Sequence, residues 1–311
     1  MRFFFKLLLL IAPITIIMLS GLFLPPNKLE RKRLLFSQLD KNKLLKVTQR
    51  PRIIFIGGSN LSFGLNSQMI KDSLGLNPVN SAIHASLGLK YMLRNAVKYI
   101  KSGDIIVVSF EYHQFLGNMA DGEIELLSMV SDVSPDTRPL LDAGQYFHLM
   151  KFLPKFLLSK TNPIIYFSKT DTIIDIYDRL AFNKYGDAVR HWSLSRRDFN
   201  TVTLNDDLND EAFMALIEFK KEVEIKKAKL LITFPCFQDL SFKKSIRKIK
   251  KIERRLKDDQ FTLLGNPEKY EFPDSLFFDT TYHLTKEGAI LRTKLLIDDL
   301  KEIITKKVGC N

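Results

Sequence analysis

The chain has 311 residues, 45% of them hydrophobic, and a net charge of +12 from 47 Lys and Arg against 35 Asp and Glu. That apolar share supports a packed core and excludes a disordered chain. Two cysteines, Cys236 and Cys310, exclude a disulfide framework or a cysteine-built zinc site. The positive balance suits either an anionic partner or a surface simply solvated by lysine; the lysines are dispersed with no reading motif beside them, so nucleic acid is not an expected partner.

Residues 1–25 begin with Arg2 and Lys6 and continue as an uncharged run, LLLLIAPITIIMLSGLFL, over residues 7–24. Eighteen residues at ~1.5 Å each reach about 27 Å, so a single-pass membrane signal anchor is expected. Pro25-Pro26 follows at once and no small-x-small cleavage site precedes it, which argues against a removed signal peptide. The cluster Lys28-Leu-Glu-Arg-Lys-Arg33 on the far side competes with Arg2 and Lys6, so charge bias leaves orientation open. Residues 26–50 are charged and leucine-bearing, and read as a helical stalk.

From residue 51 to about 305 the pattern is that of one α/β domain. Short aliphatic runs at 52–56, 79–82, 104–110 and 229–234 read as buried parallel strands. Helical spacing covers 66–74, 90–100, 211–227 and 286–301. Strands alternating with helices predict a three-layer α/β/α arrangement around a parallel sheet. Residues 116–200 break the alternation with Ser134-Pro-Asp-Thr-Arg-Pro139, Asn162-Pro-Ile-Ile-Tyr-Phe167 and the only tryptophan, Trp192. They read as a mainly helical insertion over the carboxyl edge of the sheet, in the place of a substrate lid.

The chemistry concentrates in two segments. The first strand run ends in Gly57-Gly-Ser-Asn60, and the chain closes with Phe278-Asp-Thr-Thr-Tyr-His283 before the last helix. Serine is a poor nucleophile until an imidazole takes its proton and a carboxylate orients that imidazole. Ser59, His283 and Asp279 are candidates for those roles. Asp187 and His191 share the same spacing and are the rival pair. The glycine turn also fits a plain strand-to-helix turn or an anion cradle, but it lacks the lysine and glycine pattern of a nucleotide site. His84, His113 and His148 have no carboxylate close in sequence and read as structural, with His84 carried toward the site. No cofactor and no metal site is expected.

These residues resemble the SGNH/GDSL hydrolase superfamily. Gly-Gly-Ser59 stands where that family has Gly-Asp-Ser, Asp279 and His283 stand in its last block, and Val79-Asn-Ser-Ala-Ile-His-Ala-Ser-Leu-Gly88 resembles its second block. The resemblance covers roughly residues 51–115 and 272–300. It implies a flavodoxin-like sheet, a Ser59–His283–Asp279 triad, and an oxyanion site at Gly58–Ser59 with the Gly88 amide. It further implies an outward-facing domain acting by acyl-ester hydrolysis or O-acetyl transfer on a glycan or anionic envelope polymer. Two departures stand out. The family's Gly-x-Asn-Asp is replaced by Ser109-Phe-Glu111, and the Asp–His spacing is one residue wider than usual. Glu111 is then a candidate to position a substrate hydroxyl or to cap a neighbour. A non-catalytic glycan-binding domain, or a scaffold for a membrane-bound acyltransferase, is the alternative.

Overall fold

Strand β1 (Arg52–Gly57) is buried along its whole length. The computed structural model describes residues 2–167 and 176–305. In it β1 lies inside a five-stranded parallel sheet with β2 (Asn77–Asn80), β3 (Ile105–Ser109), β4 (Lys229–Thr233) and β6 (Leu263–Leu264), in the order β2-β1-β3-β4-β6. A separate parallel pair joins β5 (Phe237–Gln238) to β7 (Glu271–Phe272).

Alternate residues of a strand point to opposite faces, and here both faces are apolar. Ile53, Phe55, Val107 and Leu231 turn to one side, where they meet α4 (Ser67–Leu74) and α12 (Lys286–Thr305) through Ile70, Leu296 and Leu300. Ile54, Ile56, Ile106, Val108 and Ile232 turn to the other. There they pack with α5 (Leu89–Val97), α10 (Asp210–Ile225) and α11 (Asp239–Asp258) through Leu93, Phe213, Leu216 and Ile249. Helices therefore cover both faces of the sheet, as the alternation requires. The fold is a mixed α/β structure with a parallel sheet.

Because β2 lies on one side of β1 and β3 on the other, the strand order reverses at the carboxyl ends of β1 and β3. In open parallel sheets that crevice is where ligands bind. The very short α3 (Ser59–Ser62) starts there, immediately after β1.

Two expectations for the N-terminus are corrected. The apolar run is helical as α1 (Arg2–Ser20), but the helix takes in Lys6 and ends four residues before the run does. Among the described residues, no helix is long and apolar enough to cross a membrane. Nor do residues 26–50 form a stalk. Helix α2 (Ser37–Val47) and the turns before it pack into the domain, with Leu34, Phe36 and Leu45 in the main core. Lys41 is fully buried and donates to the carbonyls of Asn80, Ala82 and Gly186. A charged-looking segment thus buries Leu34, Phe36 and Leu45 in the core and one of its lysines against the β2 loop.

The insertion is mainly helical. It holds α6 (Ile124–Ser128), α7 (Ala143–Leu149), α8 (Leu153–Thr161) and α9 (Pro163–Tyr166), joined by 3-10 turns. Asp142 and Gln145 close α7 with a reciprocal capping box. Residues 168–175, within the expected insertion, lie outside the described residues.

Candidate active site

Ser59 is the first residue of α3, and the two glycines before it are there because β3 comes too close for a side chain. A Cβ on Gly57 would lie 2.0 Å from the Ser109 carbonyl oxygen, and one on Gly58 would lie 2.3 Å from a Glu111 carboxylate oxygen. Glu111 lies two residues past the end of β3 and is 1% exposed. Its Oε1 accepts the Asn60 amide at 2.8 Å and the Ser59 hydroxyl at 3.2 Å. The first amides of a helix lack internal acceptors and favour an anion, and the Glu111 carboxylate fills that role. Its other oxygen, Oε2, is buried and among the described residues has no hydrogen-bond partner.

From below, the same turn is latched by α12. Arg292 is fully buried and donates to the Asn60 carbonyl, to Asn60 Oδ1 at 2.9 Å and to Ser109 Oγ at 3.2 Å. A buried guanidinium held by neutral oxygens leaves positive charge beneath the serine turn, opposite the Glu111 carboxylate.

Asp279 and His283 do form a pair. His283 Nδ1 lies 2.8 Å from Asp279 Oδ1, and Asp279 Oδ2 accepts the Tyr177 hydroxyl at 2.7 Å. Burial raises the Asp279 carboxyl, but the His283 hydrogen bond and charge, with help from Tyr177, outweigh it and hold the pKa below the usual range. The imidazole stacks on Phe63 with ring centroids 4.4 Å apart, and Phe63 directly follows α3. One aromatic ring therefore joins the His283 loop to the serine helix. The Ser59 hydroxyl itself bonds to Glu111; among the described residues it makes no hydrogen bond to His283.

The expected oxyanion role of Gly88 needs correction. Its amide donates to the Ala85 carbonyl at 2.9 Å within its own turn. Its φ is +73°, and a Cβ would lie 2.5 Å from Ala120 O and Gly122 N. Glycine is required there for backbone approach to the insertion. Gly58 and Ser59 keep the geometry of a helix start, with Glu111 in the place an anion would take.

The rival pair does not exist as a pair. Asp187 is fully buried and accepts from the Ser67 amide and hydroxyl, Asn80 and Asn183 at 2.7–3.1 Å. His191 Nε2 lies 2.8 Å from the Leu284 carbonyl instead. Burial lowers the His191 pKa to about 4. His84 and His113 are also lowered, chiefly by burial, and both feel the Glu111 charge; His84 feels His283 as well. The β2 loop thus does carry His84 to the site. Its Nδ1 accepts the Ser86 amide at 3.2 Å.

A cavity of about 580 Å³ has His84 and Tyr177 on its wall, together with Pro25, Arg33, Phe156 and Tyr166. It connects the N-terminal segment and the insertion to the two side chains that flank the Asp279–His283 pair. Sequence reasoning missed Tyr177, which comes from the insertion with no local signal. It also missed Arg292, although a charge among Ala289, Thr293, Leu296 and Leu300 on the buried side of the last helix was a usable sign. Among the described residues, no three His, Cys, Asp or Glu side chains are placed to hold a metal. No protein-family model matches the chain, and no curated protein matches it.

Proposed function

We propose that this protein is an SGNH-like acyl-ester enzyme, a hydrolase or O-acetyltransferase acting on a glycan or anionic polymer of the extracytoplasmic envelope. The observation that carries the reading is the placement of an oriented Asp279–His283 pair against Phe63, at the end of the helix that Ser59 begins. Both elements lie at the carboxyl side of a parallel sheet, where its connections diverge.

In this reading the Ser59 hydroxyl turns from Glu111 toward His283. Ser59 Oγ attacks the acyl carbon as His283 takes its proton, and Asp279 holds the Nδ1–H of the imidazolium. The Ser59 amide faces the developing oxyanion. His283 then protonates the leaving oxygen, and water or a sugar hydroxyl releases the acyl group. Tyr177 keeps Asp279 in line. No cofactor enters the scheme.

The test is labelling of the intact chain by a fluorophosphonate probe, with acetyl release from a panel of acetylated sugars and a Ser59→Ala control. Label on Ser59 together with acetyl release is the expected result. A second reading, a glycan-binding or scaffold domain partnering a membrane-bound acyltransferase, draws on the Ser59–Glu111 bond and the engaged Gly88 amide. A folded chain that binds glycan but never takes the probe would favour it.

A further inference from the structure

Helix α1 keeps an apolar surface even where it meets the domain. Phe5 and Ile16 are exposed, as is Phe23 in the turn just after the helix. At its end α1 runs against α8: a Cβ on Gly21 would lie 3.1 Å from Thr161 Cγ2 and 3.3 Å from Leu157 Cδ2. The Tyr166 hydroxyl of α9 donates to the Pro25 carbonyl at 3.2 Å. The end of α1 and helices α8 and α9 therefore form one continuous part of the surface.

That surface is apolar well beyond α1. Phe147 is 85% exposed and Ile164 83%, and Met150, Leu158 and Phe167 are exposed as well. A monomer seldom leaves so many large apolar side chains together in water. The charges around them are mostly positive, although Asp142 caps α7 and Asp132 pairs with Lys160. Residues 1–36 and 143–167 together carry nine Lys and Arg and a single acid, Glu30. Of these, Lys6, Lys28, Arg31, Lys151 and Lys155 are exposed.

We infer that α7, α8 and α9 dock on the surface of an anionic phospholipid bilayer together with α1, so that the insertion lies in the membrane interface. Apolar side chains flanked by lysine and arginine are the chemistry of interfacial helices, which bind by buried apolar area plus attraction to anionic headgroups. This accommodates an apolar helix at the N-terminus although, among the described residues, no helix is long and apolar enough to cross a membrane. Pro25, Lys155 and Tyr166 belong to this face and also line the cavity beside His84 and Tyr177, so the cavity lies next to the lipid. The inference is independent of whether Ser59 is a nucleophile.

The test uses the full chain carrying Cys310→Ser, since Cys236 is buried. An environment-sensitive fluorophore is placed on Phe147→Cys, Ile164→Cys or, as reference, Ile225→Cys at the exposed end of α10. Vesicles are phosphatidylcholine with or without phosphatidylglycerol, each with a nitroxide lipid as quencher. The expected result is several-fold stronger quenching at positions 147 and 164 than at 225, greater with phosphatidylglycerol and weakened by Lys151→Glu with Lys155→Glu. Quenching of a Leu19→Cys label with none at 147 and 164 would leave α1 alone on the lipid and overturn the proposal. So would burial of the 147 and 164 labels through self-association or a protein partner without vesicles.

Discussion

At the residue scale the site turns on which group holds the Ser59 proton. With Glu111 as the acceptor, a carboxylate sits where an oxyanion would form, and two anions there repel. Glu111→Gln keeps an oxygen acceptor for Asn60 and Ser59 and removes the charge. The variant is expected to take a fluorophosphonate probe several-fold faster than the parent chain. Lost labelling in a folded Glu111→Gln protein would instead make the carboxylate part of the catalytic machinery. The triad has its own test. Ser59→Ala and His283→Ala should each remove most activity, and the double variant should be little worse than either. Asp279→Asn should lower turnover somewhat less, through imidazole tautomer and orientation. Asp187→Asn is a stability variant: a buried carboxylate with four donors loses part of its network, at roughly 1–3 kcal/mol. Its melting temperature should fall while turnover per folded molecule stays near that of the parent. A large drop in turnover without destabilisation would reopen the choice of acid.

At the element scale the surprise is the N-terminal segment. Its charged composition reads as a stalk, yet Leu34, Phe36 and Leu45 are core residues and Lys41 satisfies three carbonyls of the β2 loop and the insertion. Removing α2 would expose that core surface and take the lysine from those oxygens, of which, among the described residues, only the Ala82 carbonyl keeps another donor, the Ser62 hydroxyl. A fragment beginning at residue 51 should therefore be insoluble or melt far below one beginning at residue 26, which keeps the packed turns and α2. Equal melting temperatures for the two fragments would show that α2 is dispensable. Lys41→Met should be intermediate, because leaving buried acceptors unpaired costs on the order of 1–3 kcal/mol. The glycines teach the same lesson on a smaller scale. Gly57 and Gly58 were visible as a turn, but the reason for them, Ser109 at the end of β3 and Glu111 just past it, lies more than fifty residues further along the chain.

Across the whole molecule, buried histidines give a pH signature. His84, His113 and His191 have folded-state pKa values below the ordinary imidazole value of 6.5, with His191 at about 4, each chiefly because of burial. Below pH 6.5 the unfolded chain binds protons that the folded chain refuses, so stability falls as pH drops through that window. Melting temperature should decline between pH 7 and pH 4.5, and His191→Phe should flatten part of the decline. A curve as steep in His191→Phe as in the parent would place the acid sensitivity elsewhere.

Short-range pattern determined much of this protein. Strands β1, β3 and β4, the helices between the strands and the last helix follow from period and length, because burial on both faces of a parallel sheet leaves runs of Ile, Val and Leu. Strand β2, Asn-Pro-Val-Asn, shares only Val79 and Asn80 with the expected run. The Asp279–His283 pair was equally legible, since both residues lie within one short loop. What only the tertiary structure decided was long-range. Glu111 caps the Ser59 turn, Arg292 latches it from below, Tyr177 reaches Asp279 from the insertion, and Gly88 gives its amide to its own turn. Each depends on where separate elements come to rest, and hydrogen bonds between distant residues leave no periodicity in the chain. The apolar run at the start shows the limit from the other side. Composition fixed that it is a helix seeking apolar surroundings, while its packing on α8 and its end at Ser20 set its extent.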